Sequence, residues 1–188
     1  MQNRYPKVKY ADIGELSIAY QVWGDAEKVL VYVPGIVSHL EVTLEIKGYV
    51  DWLERLSKNF KVIIFDKRGQ GMSDRETSMP GIEARSDDIT AVVKAEGVKR
   101  FSLFGLSEGA AIALFYAASY PEAIESVAIL GGFPRVSNSK DYMLLNDGTD
   151  TLNWIKNWGV GLSGYSLCPH VMPQMKELIG KFERMTCN

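Results

Sequence analysis

The apolar residues of this chain come in two rhythms. Short apolar runs at Lys28–Val33 (KVLVYV) and Lys61–Phe65 (KVIIF) predict buried strands, the first covered on both faces, and Arg100–Phe104 and Ser126–Leu130 (SVAIL) predict two more strands. Between them the spacing turns helical. Val50, Leu53 and Leu56 predict an amphipathic helix over about 47–58, and Ile82, Ile89, Val92 and Val93 another over about 81–96, closed by Gly97. The small-residue stretch Ser107–Ser119 predicts a third, and Pro121 follows its end. Residues 8–22 read as two strands around Gly14, a hairpin. Strands alternating with helices imply a mainly parallel sheet with right-handed crossovers and helices on both faces.

After Pro134 the rhythm changes. Thr151–Trp158 and Met172–Met185 predict helices carrying Trp154, Trp158, Leu178, Ile179 and Phe182, and no buried strand is legible. The expected architecture is therefore α/β: a three-layer core of about six strands over residues 1–134, with a helical, cap-like segment over 135–188, in one domain overall.

Composition narrows the function. A chain of 188 residues holds one domain with a real core. A formal charge of −2 creates no field for nucleic acid or for an anionic membrane. No run of apolar residues is long enough to span a bilayer, and the first residues lack the apolar centre of a secretion signal. Cys168 and Cys187 stand far apart without metal-ligand spacing, which fits a reducing cytoplasm. No cofactor or metal is expected: Gly69 and Gly71 lack the spacing of a phosphate cradle, and no carboxylate or histidine cluster stands out.

The chemistry gathers at Phe104-Gly105-Leu106-Ser107-Glu108-Gly109, where an apolar strand meets an alanine-rich helix. Gly-x-Ser-x-Gly at such a junction makes a very tight turn that lifts the Ser107 hydroxyl clear of the sheet. The same turn aims backbone N–H groups at the place where negative charge develops during acyl transfer.

With these residues in place, the chain resembles the α/β-hydrolase superfamily. Val33-Pro34-Gly35-Ile36 matches the family's oxyanion loop, and Phe65-Asp66-Lys67-Arg68-Gly69-Gln70-Gly71-Met72-Ser73-Asp74 its glycine-rich loop after the fourth strand. Pro34, Gly35, Ser38, His39 and Glu41 match the Pro-Gly-x-x-Ser-His-x-Glu stretch of hydrolase domains associated with nucleotide cyclases. The resemblance implies Ser107 as nucleophile, the backbone N–H groups of Glu108 and Ile36 as oxyanion donors, and Gly35 and His39 as pocket lining. It also implies an acid and a histidine after two further strands, which this chain does not show. A usual member would be roughly 80–100 residues longer.

Two histidines are present. His39 precedes Ser107 and sits in the oxyanion loop, out of triad order. His170 has the right order but cap-like neighbours, and it is carried as the candidate base, with Asp141, Asp147 and Asp150 as acids that matter only if it serves. Asp66 and Arg68 read as a charged pair pinning their loop. Trp154 and Trp158 read as packing residues.

These observations leave three readings. The first is a cytoplasmic serine hydrolase of a small ester, lactone or thioester. The second is a binding or sensing module that keeps the pocket without turnover. The third is an incomplete form whose sheet edge at SVAIL pairs with another copy, giving a homo-oligomer.

Overall fold

The computed structural model describes residues 5–75, 80–133, 156–161 and 175–186. The chain divides into two compact units, 1–132 and 133–188.

In the first unit, β1 (Lys9–Ile13) and β2 (Leu16–Trp23) form the expected hairpin, with Gly14 at a positive φ of 60° in its turn. β3 (Val29–Val33), β4 (Lys61–Phe65), β5 (Phe101–Leu106) and β6 (Ile124–Leu130) complete a six-stranded sheet of order β1-β2-β4-β3-β5-β6. The β1–β2 and β2–β4 pairs are antiparallel, and the β3–β4, β3–β5 and β5–β6 pairs are parallel.

Alternation along each strand divides the core between two faces. Val31, Val33, Ile63, Phe65, Phe101 and Leu103 pack with α2 (Ile82–Ala95) and α3 (Glu108–Ser119) through Ile89, Val92, Ile112 and Ala113. Tyr32, Val62 and Ile64 face the other way, against Val50 and Leu53 of α1 (Lys47–Leu56). The chain thus leaves β3 for one face and β5 for the other. Their C-terminal ends border the crevice where open α/β sheets bind ligands.

Two features of the sheet have physical causes. β5 runs on to Leu106 because it pairs with β6 as far as Leu130. β6 is mostly exposed, with Ile129 at 44% and Leu130 at 58%, because it is the sheet's last strand among the described residues. Its apolar run does not mean two covered faces.

In the second unit, α4 (Lys176–Thr186) is the described part of the expected C-terminal helix. The Trp158 indole donates to the Glu183 carbonyl at 3.1 Å, and the buried Glu183 carboxylate accepts the N–H groups of Gly159 and Gly161 at 2.7 and 3.0 Å. Trp158 thus packs a turn against this helix, and Trp154 lies outside the described residues. Among the described residues, no helix is long and apolar enough to cross a membrane.

Candidate active site

Ser107 is the hinge between β5 and α3. Its backbone sits at φ 54° and ψ −121°, and it is the one non-glycine at positive φ among the described residues. An L-residue there is strained by about 1–3 kcal/mol, and such strain persists only where the surroundings enforce it. Those surroundings are visible. A Cβ on Gly105 would lie 2.6 Å from the Ala110 Cα, and one on Gly109 would overlap the carbonyl oxygens of Val33 and Pro34. The Ser107 N–H donates to the Leu130 carbonyl at 2.9 Å, and the Ser107 carbonyl accepts from Ala110 at 3.1 Å. The turn is therefore clamped from α3, from the loop after β3 and from β6.

That loop passes close to the serine. A Cβ built on Gly35 would stand 3.3 Å from the Ser107 Cβ and 3.8 Å from its Oγ. Neither the Ile36 nor the Glu108 N–H has a partner among the described residues. Glu108 opens a helix, where the first N–H groups are free by construction and carry the positive end of the dipole. The loop is fastened from below. Lys67 Nζ donates to the Gly35 carbonyl at 2.6 Å, and Gln70 Nε2 donates to the Ile36 carbonyl at 2.6 Å.

The glycine-rich loop after β4 supplies that fastening, but not through an Asp66–Arg68 pair. Arg68 instead meets Asp88 of α2, its Nε 2.8 Å from one carboxylate oxygen and its backbone N–H 3.0 Å from the other. Asp66 is fully buried, and its Oδ2 accepts the N–H groups of Leu40 and Met72 at 3.1 and 2.9 Å. Side chains at i and i+2 diverge here because each has backbone donors to satisfy.

Burial raises the Asp66 carboxyl above its ordinary 3.8, against the pull of those two N–H donors. The folded chain therefore holds this proton more tightly than the unfolded chain. The stability it contributes is full below the unfolded value and lost as pH climbs through the folded one. Asp66→Asn does not titrate. Its melting temperature relative to wild type is expected to rise as pH climbs above the unfolded value of about 4. A constant difference across that range would show that Asp66 stays ionised when folded.

The sequence matches the alpha/beta hydrolase fold family over residues 28–163. The chain belongs to that family. It is 29% identical over 146 residues to the human serine hydrolase BPHL, covering 76% of this chain and 48% of the relative. It is 30% identical over 127 residues to the 2-(acetamidomethylene)succinate hydrolase of Mesorhizobium japonicum, covering 66% of this chain and 42% of that enzyme. It thus spans about half the length of these relatives, or somewhat less. Among solved structures, the N-formylmaleamic acid deformylase of Pseudomonas putida S16 superposes with a TM-score of 0.72 at 22% identity, over 96% of this chain and 69% of that one. That likeness concerns the fold.

The residues expected at the site of this family fall in three places. Ser107, Glu108, Gly35 and Ile36 come together around one turn. His39 does not join them as a base. Its ring is buried, and its Nδ1 accepts the Val42 N–H at 3.4 Å, closing a turn of its own loop. His170, Asp141, Asp147 and Asp150 lie outside the described residues. Sequence reasoning missed Lys67, Gln70, Arg85 and Asp88 as supports of the site. Lysine and arginine are rarely buried, so nothing in their spacing marked them. Among the described residues, no group of three His, Cys, Asp or Glu side chains could hold a metal ion.

Proposed function

We propose that this hydrolase is a serine hydrolase acting on a small carboxylic ester, lactone or thioester. The reading rests on one observation, the strained backbone of Ser107 held beside two free N–H groups. Ser107 Oγ attacks the carbonyl carbon, and the Glu108 and Ile36 N–H groups receive the charge that forms on its oxygen. The adduct breaks its bond to the alcohol or thiol, which leaves with the proton the base took from Ser107, and water then hydrolyses the acyl-serine to release the acid. A base must take the Ser107 proton, and His170 is the candidate. The named activities of the relatives include amide-type cleavage, so a substrate panel should carry amides and carbamates beside esters. Incubation with a fluorophosphonate and peptide mass spectrometry is expected to place the label on Ser107. A protein that stays unlabelled at this residue would count against the reading.

A second reading is a ligand-binding module without turnover, as the cyclase-associated resemblance of residues 34–41 suggests. It is favoured by the Ser107 hydroxyl, which has no hydrogen-bond partner among the described residues. Ligand affinity that survives Ser107→Ala, with no product formed, would support it.

We also propose that the β6 edge pairs with a second copy of the chain. The exposed Ile129 and Leu130 and an edge with no partner among the described residues support this. Sedimentation is expected to show a dimer that Ile129→Lys dissociates. A monomer at every concentration would rule this out.

A further inference from the structure

The most unusual side chain in the first unit is Lys67. It is 1% exposed, although it leaves the end of β4 in a glycine-rich loop. A buried ammonium is costly unless several acceptors replace its water. Lys67 has two. It donates to the Gly35 carbonyl at 2.6 Å and meets the Glu108 carboxylate at 2.5 Å. Those acceptors come from different elements, the loop after β3 and the first turn of α3. They are also the two elements that carry the candidate oxyanion donors.

The link to the donors is covalent. Gly35 C=O and Ile36 N–H belong to one planar trans peptide, so they point in opposite directions. Drawing the carbonyl toward Lys67 turns the Ile36 N–H away from it. On the other side, Glu108 contributes its N–H to the site and its carboxylate to Lys67. One ammonium therefore sets the position of both donors. The charges that face it are Glu108 from α3, Arg85 and Asp88 from α2, and Arg68 from its own loop. Arg85 also pairs with Glu108. Three cations against two carboxylates leave this cluster net positive when all are ionised.

We propose that Lys67 is a positioning residue of the oxyanion hole: by fastening the Gly35 carbonyl and the Glu108 carboxylate together, it holds the Ile36 and Glu108 N–H groups in the geometry that an oxyanion requires. The inference rests on the serine-hydrolase reading and deepens it. Lys67 touches no substrate, so its effect falls on the transition state rather than on binding. Burial lowers the Lys67 pKa, with Glu108 opposing that shift and Arg85 adding to it. The fastening is thus lost on the alkaline side, at a pH below the usual lysine range.

The test uses the full chain, p-nitrophenyl acetate, and the variants Lys67→Met, Lys67→Arg and Glu108→Gln. Lys67→Met is expected to lower kcat about 10- to 100-fold with KM within about threefold, a loss somewhat smaller than removal of a direct donor. Lys67→Arg keeps the charge and is expected to recover most of the rate. It should also remove the alkaline fall expected of wild type, because arginine does not lose its proton. Glu108→Gln weakens the same link and tests the inference if Lys67→Met does not fold. A rise in KM with kcat unchanged, or an Arg variant no better than Met, would overturn the proposal. If wild type neither turns over nor accepts a fluorophosphonate, the hydrolase reading fails on its own. The fastening is then read from 15N relaxation. The Ile36 and Glu108 N–H vectors are expected to be rigid in wild type and loosened in Lys67→Met, and equal rigidity in both would refute it.

Discussion

Ser107→Ala is expected to lower ester hydrolysis by at least about 10³-fold and to abolish fluorophosphonate labelling, with the fold intact. The hydroxyl is the candidate reacting atom of the turn, and the backbone at φ 54° holds any residue placed there in the same spot. Ser107→Gly separates chemistry from strain. It loses the same activity, yet glycine occupies this backbone region without the Cβ penalty. Relief of about 1–2 kcal/mol is expected, a rise in Tm of roughly 2–8 °C for a chain of this size. Initial rates and thermal melts of the two variants check both halves. Residual hydrolysis in either variant near the wild-type rate would remove Ser107 from the mechanism. A glycine variant no more stable than wild type would show that the turn is unstrained.

Gly109→Ala is expected to damage the turn at Ser107 severely. Its Cβ would overlap the carbonyl oxygens of Val33 and Pro34, which are backbone and cannot swing aside. Either α3 shifts outward or the loop after β3 yields. Each response also spreads the two candidate oxyanion donors apart. A loss of at least about 3 kcal/mol is expected, or roughly 6–12 °C in Tm. Denaturant titration measures the first number, and labelling of the surviving folded protein measures the second effect. Gly48→Ala is the matched control, because a Cβ there meets nothing within 4 Å. Equal melting temperatures for the two variants would contradict this account of the turn.

Much of this was legible in the chain. β3, β4 and β5 were readable because strands covered on both faces are apolar at every position, and α1 and α2 because their apolar residues keep helical spacing. The turn at Ser107 was readable because only glycine fits on either side of it. β6 lies where the sequence put it, at the sheet's edge, with Ile129 and Leu130 exposed, although an apolar run alone does not say whether a face is covered. The supports of the site were not legible at all. Arg68 finds Asp88 and Arg85 finds Glu108 across turns of the fold, so sequence proximity pointed to the wrong partner, Asp66. Lys67 carries a residue type that is nearly always exposed, and only the three-dimensional arrangement shows its two acceptors.

The bond from the Ser107 N–H to the Leu130 carbonyl ties the reactive turn to the outermost ribbon of the sheet. Margins fray before centres do. The candidate nucleophile is thus moored to an edge strand of the described sheet, and fluorophosphonate labelling is expected to fall under mild denaturant before the central strands open.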